Sequence, residues 1–147
     1  MKKTNLMKYV LFILYIFILI DLLLLAREVD MEVGVNIIPF YSFKMFIPLL
    51  KSGYQSYRYL AISNLFGNIL IFIPMGIFLP LIFKRNNNFL YLLINTFLIS
   101  LSIEVIQYYT KLGTADVDDI ILNVLGSVLG FAIYKIWKRG RKDEYFN

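Results

Sequence analysis

The chain has 147 residues, 59% of them hydrophobic and 17% charged, with a net charge of +5. A soluble domain carries roughly 45–50% apolar residues; the excess here is concentrated in long runs, which indicates an integral membrane protein. The chain contains no cysteine, which excludes disulfides and thiolate chemistry, and no histidine, the commonest metal ligand and usual neutral-pH base; its basic residues flank apolar runs instead of forming a nucleic-acid-binding patch.

Four runs are long enough to predict membrane-spanning helices: Tyr9–Ala26, Asn64–Phe83, Phe89–Tyr109 and about Asp118–Trp137. Each approaches the ~20 residues needed to cross about 30 Å of hydrocarbon. The first follows Lys2, Lys3 and Lys8, as a signal peptide would, but its apolar stretch is too long and Leu25-Ala26-Arg27 is a poor cleavage site. It is read as a retained helix. Between the first two spans, Phe40–Leu50 is aromatic and aliphatic, interrupted by Pro48 and preceded by Pro39. It is too short to span, so it either lies at the interface or re-enters between helices, where it would cover a site like a lid. Pro74, Gly76 and Pro80 weaken the second span, residues 84–88 form a tight turn, and residues 110–117 form another. The expectation is one all-α, polytopic domain over residues 1–147.

Orientation follows the distribution of Lys and Arg. Ten lie on the side of both termini and the 84–88 turn, and five (Arg27, Lys44, Lys51, Arg58 and Lys111) on the other. Both termini are therefore expected in the cytoplasm. Glu28, Asp30, Glu32 and Asp116 then face outward.

Glu104 is an acid within a spanning run, where burial costs several kcal/mol unless it is paired, protonated or wet, so it is a functional candidate. Other polar groups fall at matching depth. Counting back from the inner boundaries places Asn68, Glu104 and Asn123 about one turn inside the outer boundary. Asp118 and Asp119 lie at that boundary, and Asp21 lies near the outer end of the first helix. Asn64 and Asn68 share one helix face, Ser100, Glu104 and Gln107 another, and Asp119, Asn123, Gly126, Ser127 and Gly130 a third. Plain structural roles compete with function. Gly126 and Gly130 form a helix-packing pair, the asparagines serve as interhelical glue, Asp118 or Asp119 caps its helix, and Asp21 reaches water. The expectation is that carboxyl and amide groups from separate helices meet in one outward-opening pocket.

The same residues resemble the VanZ-like family of small bacterial membrane proteins. The resemblance rests on Asn36-Ile37-Ile38-Pro39-Phe40 and on Asn64-Leu65-Phe66-Gly67-Asn68, continuing through Phe72, Pro74 and Gly76. It extends through Ser100, Ile103-Glu104 and Gln107, then Asp116-Val117-Asp118-Asp119, Asn123, Gly126 and Gly130. It covers about Asn36 to Tyr134, and implies a cell-envelope role and lowered sensitivity to teicoplanin-type glycopeptides. The chain departs from the pattern at Gly113-Thr114, where the resemblance leads one to expect an Arg after the glycine.

Three functions compete. The first is binding of a lipid, a lipid-linked cell-wall precursor or a glycopeptide through Asn36, Asn64, Asn68, Glu104, Gln107, Asp116, Asp118, Asp119 and Asn123. The acids would take an amine, or a divalent cation bridging to phosphate. No cofactor, resident metal or nucleic acid is expected. The second is an intramembrane enzyme with Glu104 and Asp118 or Asp119 as acid and base. The third is a cation- or proton-coupled transporter, which four spans could form only as a homo-oligomer.

Overall fold

The computed structural model describes residues 3–25, 34–83 and 88–143. Helix α1 (Lys3–Ile20) continues into a π-helical turn (Asp21–Leu25). A two-residue strand β1 (Val35–Asn36) and a nine-residue helix α2 (Tyr41–Leu49) follow. The remaining elements are α3 (Gln55–Ile82), α4 (Phe89–Thr110), β2 (Ala115–Asp116) and α5 (Val117–Asp143). Four stretches are long and apolar enough to cross a membrane: Leu6–Leu24, Gln55–Ile82, Phe89–Thr110 and Val117–Gly140. The chain is an all-α, multi-pass membrane protein. Most of the expected 84–88 turn, together with Arg27, Glu28, Asp30 and Glu32, lies outside the described residues.

Helix boundaries extend beyond the sequence expectation, α1 starting at Lys3 and α5 ending at Asp143. Helix α3 starts at Gln55, nine residues before Asn64. Residues 55–63 (QSYRYLAIS) contain no Gly or Pro, so the backbone has no reason to leave the helix where hydropathy falls. Helix α3 also runs continuously through Pro74 and Pro80. At the other end of the turn, Asn88 is the N-cap of α4 and its side chain accepts from the Leu90 N–H at 2.9 Å.

Helix α5 packs most extensively on α3, and glycines set how closely. A Cβ on Gly126 would lie 2.2 Å from the Ile69 carbonyl oxygen, and one on Gly130 would lie 1.9 Å from that of Ile73. On the facing helix, a Cβ on Gly76 would meet the Ser127 carbonyl at 1.9 Å. Only hydrogen fits at these three positions, so the Gly126/Gly130 pair is a backbone-contact surface, with Gly76 its counterpart on α3. Helix α1 leans on the opposite side. Tyr15 donates to the Ile71 carbonyl at 2.9 Å and its ring stacks on Phe78 with centroids 5.8 Å apart. Phe72, Met75 and Leu92 are fully buried between the helices, whereas Phe17, Leu70, Phe97 and Ile136 point outward on the apolar perimeter.

At the end of the bundle that carries the α4–α5 turn, β1 pairs in parallel with β2, Val35 opposite Ala115 and Asn36 opposite Asp116. This pairing anchors the chain between α1 and α2 to that turn. Helix α2 then lies against α3 and α5.

Candidate functional site

Asp116 is the hub of this end. It precedes α5 and caps it, since its Oδ1 accepts from the Asp118 N–H at 2.8 Å. The same oxygen accepts from Asn36 Nδ2 at 2.9 Å, and Oδ2 accepts a short bond from the Ser42 hydroxyl. The Asp116 N–H donates to Glu104 Oε2 at 2.9 Å. The cap expected from Asp118 or Asp119 is thus supplied by the acid two residues before Asp118, because a capping side chain must reach forward to the second or third helical N–H.

Asp118 has another task. It is fully buried, and its two oxygens accept from the Phe40 N–H at 2.6 Å and the Ser42 N–H at 2.8 Å. These are N–H groups at the start of α2, whose own N-cap residue, Phe40, offers no capping side chain and adopts a left-handed φ of 65°. An acid from α5 therefore caps α2 from across the fold, where the helix dipole also favours negative charge. The Phe40–Leu50 segment is held in place by this contact.

Beside the hub lies a cavity of about 350 Å³. Asn36, Asn64, Asp116 and Asp119 line it, with Tyr41, Ser42 and Thr114 and apolar walls from Met45, Phe46, Leu65 and Leu122. Helix α2 supplies one wall of this cavity, the place anticipated for a lid. No Lys or Arg is among the described lining residues. A second, largely apolar groove of about 480 Å³ adjoins it, sharing Asn36 and Asp116 and passing Glu104.

Of the other predicted residues, all but Asn64 sit outside this cavity. Asn64 lines the cavity while its Nδ2 donates to the Leu60 carbonyl on its own helix at 2.8 Å. Asn68 is buried on α3, and neither cavity is lined by it. Gln107 is buried and its Nε2 donates to the Leu23 carbonyl at 2.7 Å, tying α4 to the π-helical turn of α1. Asp21, on that turn, is exposed. Asn123 is buried and its Nδ2 donates to the Ser100 hydroxyl at 2.8 Å.

The Ser100–Asn123 bond sets the antiparallel register of α4 and α5. One turn away on either side it levels Glu104 with Asp119 and Thr96 with Ser127. The polar groups thus form a ladder extending deeper than the single layer expected. Leu92 and Phe131, both buried, occupy the next level. Thr96 Oγ1, Asn123 Oδ1 and Gln107 Oε1 are buried with no hydrogen-bond partner. Sequence reasoning missed Thr96, Ser42, Tyr41 and Thr114. Thr96 shares a helical face with Ser100, Glu104 and Gln107 at spacings of four, four and three, which is the signal that could have found it.

A sequence profile of the VanZ/LLP1 family matches residues 12–138, most of the chain. Among curated proteins the chain is similar to Protein VanZ of Enterococcus faecium, with 35% identity over 71 residues. The matched stretch is 48% of this chain and 44% of the relative, so the chain spans less than half the length of that protein. No solved structure matches. The profile match covers the hub, both cavities and the ladder together, and the chain belongs to the VanZ/LLP1 family.

Proposed function

We propose that this is a cell-envelope protein that binds the head of a membrane lipid or lipid-linked glycan in its end cavity. In this reading both termini are cytoplasmic, following the ten-to-five distribution of Lys and Arg, and the cavity faces outward. Lowered sensitivity to teicoplanin-type glycopeptides, the role the family resemblance implies, would follow from occupying or masking such a head at the outer surface.

One observation carries the reading. Asn36, Asn64, Asp116 and Asp119 come from β1, α3, β2 and α5, and they line one cavity. Its two carboxylates, with no cation among the described lining residues, disfavour a bare phosphate and suit a head that presents N–H or O–H donors, such as sugar hydroxyls, amides or an ammonium group. Among the described residues no group of three carboxylates is arranged to hold a metal ion by itself. Asp118 and much of Asp116 are engaged in holding the fold, so Asp119 is the lining carboxylate whose substitution leaves the hub bonds of Asp116 and Asp118 in place.

The test is equilibrium binding of envelope lipids to purified protein in nanodiscs. Saturable binding that weakens about tenfold or more in Asp119→Asn, a loss of about 1.4 kcal/mol, supports the reading. No saturable binding of any envelope lipid, with or without Mg²⁺, sinks it. An enzymatic reading draws on the common level of Glu104 and Asp119. Turnover of a labelled lipid precursor, abolished in Glu104→Gln, would replace binding by catalysis.

A further inference from the structure

We infer that the apolar groove beside the hub holds one hydrocarbon chain of the same amphiphile whose head occupies the polar cavity. This deepens the binding reading above and rests on it.

The groove's floor is a straight stripe on α4: Phe97, Leu101, Val105 and Tyr108, at spacings of four, four and three. Such a stripe follows the helix axis for about 16 Å. All four side chains are on the perimeter of the bundle, so the groove is open along its length to surrounding lipid. Its direction is that of a lipid tail, parallel to a membrane-spanning helix. One end is rimmed by Tyr108 and Tyr109, whose rings meet edge-on at 5.5 Å, and tyrosines of this kind mark the headgroup level of a bilayer.

At that same end, Asn36 and Asp116 belong to both the groove and the polar cavity. Polar and apolar compartments thus adjoin across the β1–β2 pairing. A free hydrocarbon would leave the polar side unused, and a water-soluble glycan would leave the groove unused. A donor-bearing head joined to a long chain matches both. The chain gains little free energy by leaving lipid for a groove of similar polarity. It therefore fixes the orientation of the ligand more than its affinity, and the readout must be position and not affinity alone.

The experiment uses full-length protein in phosphatidylcholine nanodiscs with trace lipids carrying a diazirine in one acyl chain. The heads compared are glucosyl-diacylglycerol, phosphatidylethanolamine and phosphatidylcholine, the last having no N–H or O–H donor. Adducts are mapped by mass spectrometry. The expected result is at least a fivefold excess of adducts on the α4 stripe over similarly exposed residues such as Leu11, Leu125 and Leu129. The excess should appear with a donor-bearing head, disappear with phosphatidylcholine, and fall in both Leu101→Trp and Asp119→Asn. Which of the two donor heads labels the stripe separates a glycan from an amine. Adducts spread evenly over the perimeter, or concentrated on the stripe regardless of head and of Asp119→Asn, overturn the inference. Binding of soluble glycerophosphoethanolamine and methyl glucoside, followed by NMR in wild type and Leu101→Trp, judges the head cavity separately. Soluble-head binding with evenly spread adducts removes the groove and keeps the cavity.

Discussion

The carboxylate of Asp118 shows how a buried acid can be structural. Its two oxygens take the Phe40 and Ser42 N–H groups, and no Lys or Arg is needed because backbone donors at a helix start neutralise much of the cost. Asp118→Ala should cost roughly 2–4 kcal/mol, two charge-assisted bonds at about 1.5–3 kcal/mol each less the solvation regained by the freed N–H groups. Hydrogen exchange at amides 40–50 should accelerate while that of α4 stays unchanged; equal protection in the variant would show that α2 is held by other means. The glycines offer a second test at this scale. Gly126→Ala should destabilise by about 1–3 kcal/mol or more, because its Cβ meets a backbone carbonyl that cannot rotate away. Gly67→Ala, with nothing within 4 Å of its Cβ, should stabilise by about 0.5–1 kcal/mol. Thermal unfolding in one detergent, with both variants beside the wild type, reads both signs. Glu104 was legible in the sequence because a charge within an apolar run stands out. The division of labour among Asp116, Asp118 and Asp119 was not, because three acids within four positions look alike until the long-range partners of each are known.

Helix α4 meets α5 through its polar face, while α5 meets α3 through its glycines; Asn123, Gly126, Ser127 and Gly130 share one broad face of α5, where the glycines admit the α3 backbone and the Asn123 side chain reaches Ser100 of α4. The ladder has unequal rungs. Asn123→Leu removes the partner of the buried Ser100 hydroxyl and should cost about 1–3 kcal/mol. Thr96→Val keeps the shape and deletes a hydroxyl that has no partner, so it should be neutral or stabilising by about 1 kcal/mol. Loss of stability in Thr96→Val, measured by thermal unfolding, would mean that the hydroxyl is bonded in the membrane. The long elements were readable from hydropathy, since crossing lipid forces a helix of known length. The β1–β2 pairing was not, because two residues carry no period. Its trace was Asn36 and Asp116, polar residues in two separate loops whose side chains bond each other as well as their own local backbone.

At the level of the whole molecule, the orientation decides whether the cavity can meet envelope lipids and glycopeptides at all. The chain has no cysteine, so each introduced thiol reports alone. Helices α4 and α5 are antiparallel neighbours joined by a short turn, which puts Asn88 and Gly113 at opposite ends of α4. Gly113→Cys sits beside Thr114, which lines the cavity, and Asn88→Cys sits at the cap of α4 on the far end. In the proposed orientation the cavity side, with five Lys and Arg against ten on the other, is external, because basic residues tend to be retained in the cytoplasm during insertion. In intact cells a membrane-impermeant maleimide should label Gly113→Cys and leave Asn88→Cys unlabelled until the membrane is opened. Addition of a donor-headed amphiphile that fills the cavity should slow labelling of Gly113→Cys without changing that of Asn88→Cys in opened cells. The reverse pattern in intact cells would turn the polar cavity toward the cytoplasm, and with it any account in which this protein meets a glycopeptide or an outer-leaflet head directly.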